Sequence, residues 1–234
     1  MTDLEERYDI STAAAWILGH ARRTGIPGLP DAVISKTADE CSEEELVQIV
    51  EAGLVADLKL YPFKTGTQIL PRVRRAIGFL HSISFETMLD VGSGRGVFLI
   101  PFMKEFPWVT VTSLDLLEKR VIFLNELADG GFRQLHAEQK DICIQPFSDD
   151  SYDVVCLLEV LEHIPEVEKA VTAAVKMARQ YVVVSVPSKP DNNPEHIHLL
   201  TKDKLTQMFE AAGCSRLHFD GVEGHLFMVA ATKK

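Results

Sequence analysis

The sequence predicts a doubly wound α/β fold: a seven-stranded sheet, mostly parallel, closed by an antiparallel C-terminal hairpin and preceded by a helical appendage. Three observations predict it. From residue 86 onward, short apolar runs alternate with stretches of helical period, the pattern of βαβ units around a parallel sheet. The last two strand-like runs, 216–220 and 225–231, have only a short Gly-containing link between them, which pairs them antiparallel. A glycine-rich loop sits between the first strand and the helix after it, where open α/β sheets place their ligand crevice.

The elements follow in order. A helix is expected over 11–23, ended by the cluster Gly25, Pro27, Gly28 and Pro30. Ser42 with Glu45 forms a capping box, and Leu46, Ile49, Val50 and Leu54 continue it at helical spacing. A helix over 72–81 buries Val73, Ile77 and Leu80. Strands are expected at 87–91, 109–114, 132–136, 152–158, 181–186, 216–220 and 225–231, and helices at 97–105, 118–128, 167–178 and 202–212. The predicted division is a helical appendage or lid over 1–63 and an α/β domain over 64–234.

With 234 residues, 46% apolar and 25% charged, the chain has ordinary globular composition and length for one full core. It has no apolar run long enough to span a membrane, and its acidic start lacks an apolar leader segment. The four cysteines are far apart and form no CxxC pair, which suits a reducing compartment. The expectation is a cytoplasmic protein without membrane partners, with a homodimer as one open assembly. The net charge of −10 disfavours sequence-independent nucleic-acid binding. Lys59, Lys64, Arg72, Arg74 and Arg75 form a local basic stretch without acids, either a solvated face or a docking edge for an anionic substrate.

The strongest motif is MLDVGSGRGVF. A strand ends in Asp90, then Gly92, Gly94 and Gly96 give G-x-G-x-G before a helix. Glycine lets the backbone turn tightly and approach a ligand, and a helix N-terminus leaves donors free for an anion. A dinucleotide fingerprint needs glycine at position 97, which is Val97, so an oxidoreductase is disfavoured. Asp115 ends the second strand, where a carboxylate can accept two hydrogen bonds from a ribose diol. Asp141, in QKDI, follows the third strand. This set resembles the motifs of class I S-adenosylmethionine-dependent methyltransferases, over residues 64–234. The resemblance implies a Rossmann-like methyltransferase sheet and adenosylmethionine as cofactor. It implies a cofactor site of Asp90, Gly92, Ser93, Gly94, Gly96, Asp115, Leu116, Asp141, Ile142 and Glu159, with Asp90 at the amino-acid end and Asp141 and Ile142 at the adenine.

The fourth strand runs into CLLEVLEHIPE. Glu159, Glu162 and His163 form E-x-x-E-H beside the crevice, with a helix expected from about residue 161. Two carboxylates and an imidazole suit a divalent ion such as Mg²⁺ or Mn²⁺. The motif is common in generic class I methyltransferases, where its role is often structural. It also resembles the metal motif of small-RNA 3′-terminal 2′-O-methyltransferases and of ubiquinone-pathway O-methyltransferases. The RNA-type enzymes take a further histidine from the segment after the fifth strand, where this chain has His196 and His198, although the rest of their pattern there is absent. Without a metal, His163, His196 or His198 is the candidate general base. The predicted activity is O-methylation of a small or medium-sized hydroxylated acceptor. The alternatives are a metal-dependent methyltransferase acting on an RNA end and a non-catalytic subunit of the same fold.

Overall fold

The computed structural model describes residues 3–65, 69–144 and 147–232. Nine α-helices are described: α1 Asp3–Arg7, α2 Ile10–Thr24, α3 Asp31–Ile34, α4 Glu43–Val55, α5 Pro71–Leu80, α6 Leu99–Glu105, α7 Glu118–Asp129, α8 Val167–Met177 and α9 Lys202–Ala211. The strands are β1 Thr87–Val91, β2 Thr110–Asp115, β3 Leu135–Gln139, β4 Tyr152–Leu158, β5 Ala178–Pro187, β6 Arg216–Val222 and β7 His225–Ala231. They form one sheet in the order β3-β2-β1-β4-β5-β7-β6. Every neighbouring pair is parallel except β5–β7 and β6–β7. The expected doubly wound sheet with its antiparallel end is therefore the observed one.

Alternation along the strands builds a core on each face. Met88, Val154, Cys156 and Val183 point to the side covered by α2, α4, α5, α6 and α7. Leu89, Val155, Leu157, Val182 and Val184 point to the side covered by α8 and α9. No described helix is long and apolar enough to cross a membrane.

The buried apolar residues described before 64 belong to the first of these cores. Helix α2 lies against α7 so closely that a Cβ on Gly19 would stand 1.8 Å from the backbone oxygen of Glu126. The buried Glu126 carboxylate accepts hydrogen bonds from Trp16 Nε1 at 2.8 Å and Arg23 Nε at 2.7 Å, with His20 Nδ1 at 2.9 Å. Its partners satisfy a carboxylate that would otherwise be costly to bury.

Some expected boundaries move. The third strand begins at Leu135 instead of 132, because 131–134 form the turn that closes α7: Phe132 N donates to Leu127 O, and Leu135 N to Phe132 O. Phe132 packs on the core from that turn, so its apolar character is not a strand signal. The Ser42–Glu45 capping box is present, but Leu54 is exposed and Gly53 takes the buried position against Ile17. Ile77 is only half-buried, and Ala76 lies inward instead. The helix expected from 97 starts at Leu99, after a turn that carries Val97 outward. Near residue 161 there is only a 3₁₀ turn, Leu161–His163, because Pro165 forces Ile164 into an extended conformation.

Candidate cofactor and active site

A crevice opens at the carboxyl ends of β1 and β4, lined by Arg72, Asp90, Gly92, Gly94, Phe98 and Glu159 among others. Its floor is the turn after β1. Gly92 and Gly94 have φ of +68° and +58°, a region costly for side chains with a Cβ. A Cβ on Gly92 would also come within 2.7 Å of Val160. Ser93 Oγ hydrogen-bonds Ser113 Oγ at 2.7 Å, tying the turn to β2.

Asp90 is 3% exposed, and its Oδ2 has no hydrogen-bond partner. Burial pushes its carboxyl up to about 7, partly countered by the Ser93 hydrogen bond, with the Asp115 charge adding a smaller upward push. A buried acid with one free oxygen suits a cationic group such as the ammonium of an amino acid. The raised pKa sets a pH dependence. In an unfolded chain this acid ionises near 4. The favourable contribution of Asp90 is thus complete below about pH 4 and is lost as pH rises through about 7. In ligand-free protein, Asp90→Asn should gain stability relative to wild type between pH 5 and pH 8, on the order of 2–4 kcal/mol. Urea denaturation at both pH values checks this, and a pH-independent difference contradicts it.

Asp115 faces the same loop. Its Oδ2 accepts from Gly94 N at 3.1 Å and its Oδ1 from Leu117 N at 2.9 Å. Leu116, beside it, is 60% exposed. The resemblance makes Asp115 the expected ribose ligand, and on that expectation Asp115→Ala costs roughly 1.5–3 kcal/mol of adenosylhomocysteine affinity. Calorimetry giving equal affinities would remove it from the site. Asp141 Oδ1 accepts from Cys143 N at 2.7 Å, so this acid shapes the turn after β3. Ile142 is buried and lines a separate hollow with Phe147 and α8, outside the crevice of Asp90. Gly96 also has a positive φ, +75°, and a Cβ there would press on Ile100.

The E-x-x-E-H residues divide. Glu159 has φ +61°, rare for a residue with a side chain, and its N–H donates to Ser185 O at 2.9 Å. Its Oε1 accepts from Ser185 Oγ at 2.7 Å, its Oε2 lies 2.9 Å from His225 Nε2, and Arg72 Nε is 3.8 Å away. Glu159 therefore faces the crevice, held by β5 and β7. Glu162 is fully buried, and neither carboxylate oxygen has a partner. Burial raises its carboxyl to about 8, with the Glu159 charge adding to the rise.

His163 Nδ1 is 2.9 Å from Glu195 O. A carbonyl only accepts, so Nδ1 carries a proton, and in the neutral ring the lone pair is on Nε2, 3.9 Å from Glu162 Oε1. His196 completes the group: one ligand atom each from Glu162, His163 and His196 lie within 4.8 Å of one another. The His163 and His196 rings meet edge-on, with centroids 4.8 Å apart. Of the expected group Glu159, Glu162 and His163, the last two thus converge with His196, while Ser185 and His225 hold the Glu159 carboxylate. His198 stands outside it. Its Nε2 bonds Ile164 O at 3.0 Å, and its N–H, with that of Ile197, donates to Glu162 O.

His225 escaped the sequence reading. β7 runs antiparallel to β5, so its first residue stands opposite Pro187 at the crevice end of the sheet. The chemistry of the cysteines is unpromising: burial and the neighbouring Asp141 push Cys143 up to about 11, and Cys156 is fully buried beside Asp90. The basic stretch is partly neutralised, Lys59 by Asp57 and Arg75 by Asp220.

Comparison with known proteins agrees with this geometry. The family model described as "Methyltransferase domain" matches residues 65–218. Curated relatives match only short stretches. Ribosomal RNA small subunit methyltransferase G of Leuconostoc mesenteroides is 34% identical over 74 residues, 30% of this chain and 31% of that protein. The Bacillus pumilus protein of the same name is 50% identical over 52 residues, 22% of each chain. The chain therefore spans under a third of the length of these relatives. Among solved structures, a SAM-dependent methyltransferase from Aquifex aeolicus superposes with a TM-score of 0.58 at 19% identity, covering 71% of this chain and 92% of that one. Magnesium protoporphyrin IX methyltransferase from Synechocystis PCC 6803 with bound SAM gives 0.54 at 19% identity, covering 69% and 78%. With the family model spanning most of the chain and the crevice lying where the glycine loop meets β1, the protein belongs to the methyltransferase-domain family, as a class I S-adenosylmethionine-dependent methyltransferase domain.

Proposed function

We propose that the chain methylates a hydroxyl oxygen of a small or medium-sized acceptor, with a divalent cation held by Glu162, His163 and His196. The observation that supports this most is the Glu162 carboxylate, fully buried with both oxygens unpartnered, beside two imidazoles. A buried carboxylate without a partner is costly and calls for a cation. One carboxylate and two imidazoles suit a borderline divalent ion such as Mn²⁺ or Co²⁺ better than the harder Mg²⁺.

Asp90 takes the cofactor's ammonium, Asp115 its ribose, and the Gly92–Gly94 turn lies against its amino-acid end. Ser93, Gly96, Leu116, Asp141, Ile142 and Glu159 complete the cofactor's surroundings, with Asp141 and Ile142 towards the adenine. Methyl transfer is an in-line displacement: an acceptor oxygen bonds to the methyl carbon as the carbon–sulfur bond breaks, its electron pair staying on sulfur as the thioether, and the hydroxyl proton passes to solvent. Glu162, His163 and His196 would hold the cation, which would supply Lewis-acid polarisation of that hydroxyl. The chain's own contribution is positioning, which can supply much of the rate. The division at residue 63/64 is part of the proposal. The appendage braces α7, and the residues lining the crevice all come from 72–159.

A second reading, transfer to an RNA end, draws support from His196, which comes from the segment after β5 as in the RNA-type enzymes. The neutralised basic stretch and the net charge weigh against it. The test is transfer of radiolabelled methyl to a panel of catechols, phenols and RNA 3′ ends, with and without chelator. Label on a small hydroxylated acceptor, lost with chelator and restored by Mn²⁺, is expected. Label on RNA selects the second reading. Transfer indifferent to chelator makes His163 or His196 the general base, or His198 if its bond to Ile164 O opens.

A further inference from the structure

Asp191 lies in the segment between β5 and α9, outside the motifs that define the site. Its Oδ2 is 2.8 Å from His196 Nδ1, and its Oδ1 accepts from Asn193 N at 3.0 Å. A carboxylate oxygen at this distance is met by an N–H, so Nδ1 carries a proton, and in the neutral ring the lone pair is on Nε2. The His196 side chain is 18% exposed, so water competes little for that bond. Four residues on, the carbonyl of Glu195 does the same for His163. One short segment therefore sets both rings in the Nδ1–H form. Ligating histidines are commonly oriented in this way, by an acceptor on the nitrogen that does not ligate.

We infer that Asp191 is a positioning residue, which fixes the tautomer and orientation of His196 so that Glu162, His163 and His196 form a preorganised donor set for a divalent cation. The inference rests on the cation reading above. The competing role is simpler: Asp191 caps the turn at Asn193 and nothing more.

Chemistry separates the two roles. Asn at 191 keeps an oxygen for Asn193 N–H but sets an NH₂ donor against His196 Nδ1. To meet that donor, His196 must move its proton to Nε2, which then cannot ligate. The reverse amide orientation sets NH₂ against Asn193 N–H, so the amide cannot serve both partners as the carboxylate does. Asp191→Ala removes both bonds, and Asp191→Glu restores an acceptor.

The experiment has two arms on the full chain. In the first, long-range ¹H–¹⁵N NMR at alkaline pH, without metal, reports the proton on each ring. Wild type should show His163 and His196 as Nδ1–H. Asp191→Asn should shift His196 towards Nε2–H, with His163 unchanged. In the second, cobalt(II) is titrated and followed by its visible absorption. Asp191→Asn and Asp191→Ala should weaken cobalt binding about 10- to 100-fold, with partial recovery in Asp191→Glu. The thermal midpoint and adenosylhomocysteine affinity should hold. An unchanged His196 tautomer with cobalt affinity within two-fold of wild type overturns the inference. So does a lowered midpoint as the sole effect, which marks a turn residue. Wild type that binds no cobalt at all sinks the cation reading instead, and the NMR arm still decides what Asp191 does to His196.

Discussion

Glu162→Ala should abolish the response of the protein to divalent cations. Millimolar Mn²⁺ or Co²⁺ should raise the thermal midpoint of wild type by several degrees, because a ligand that binds only the folded state stabilises it. The variant should show no such shift. Methyl transfer should fall at least 100-fold, while adenosylhomocysteine affinity stays within two-fold of wild type, since Asp90, Asp115 and the glycine turn are untouched. Glu162→Leu sharpens the test. It keeps bulk at a position with no exposed surface and removes a carboxylate that bonds to nothing. Without a cation, it should melt higher than wild type at neutral pH, because burial already holds the carboxyl largely protonated there, and apolar replacement of a buried polar group without a hydrogen-bond partner relieves its desolvation penalty. A gain in stability joined to a loss of function is expected where a group is retained for its chemistry. A Glu162→Leu protein that melts lower than wild type, with wild type indifferent to cations, would make the cluster structural.

The sequence showed the fold more fully than it showed the site, for physical reasons visible in single residues. Strand and helix periods are local properties, so β1, β4 and β7 were predicted to the residue. β3 was misplaced because Phe132 and Leu135 are both apolar, and only the hydrogen bonds of the turn after α7 show which of them begins the strand. Leu54 was expected inside, but close packing of α4 on Ile17 requires a residue without a side chain, so Gly53 lies inward.

The site divides along the same line. Asp90, one residue from the end of β1, and Asp115, the last of β2, lie at the carboxyl ends of neighbouring parallel strands, and strand ends converge on the crevice whatever the loops do. Glu159 and Glu162 were three residues apart in one motif, and spacing alone gave both to one ion. The structure separates them through contacts distant in sequence: Ser185 and His225 hold Glu159, whereas Glu162 is left without a partner. The choice between His196 and His198 depended on which ring nitrogen the fold occupies. Ile164 O takes Nε2 of His198, and Asp191 takes Nδ1 of His196. His225 could have been found from the sequence, because the first residue of an antiparallel strand beside β5 must stand at the crevice end.

Gly94→Val should abolish binding of adenosylmethionine and adenosylhomocysteine, with affinity reduced more than 100-fold, while the sheet and both cores remain. Gly94 has φ +58°, and its N–H donates to Asp115. A β-branched residue is poorly suited to that conformation, at a cost of about 1–2 kcal/mol or more. The nearest atom to an added Cβ is Gly92 O at 3.9 Å, so the side chain meets no protein wall and projects into the open crevice. The strain can be relieved by re-folding the turn, which withdraws the Gly94 N–H from Asp115 and shifts the carboxylate proposed to bind the ribose. If the turn holds instead, the valine methyls occupy space where the cofactor must approach the backbone. Both routes remove binding, and neither reaches the residues buried beneath the sheet. Gly92→Ala is the contrasting case, because its Cβ would stand 2.7 Å from Val160 and disturb packing under the loop as well. The expected pattern is a near-native circular dichroism spectrum with no calorimetric heat for Gly94→Val, and a lowered melting midpoint for Gly92→Ala. A Gly94→Val protein that binds adenosylhomocysteine as wild type does would place the cofactor elsewhere and remove the loop from the site.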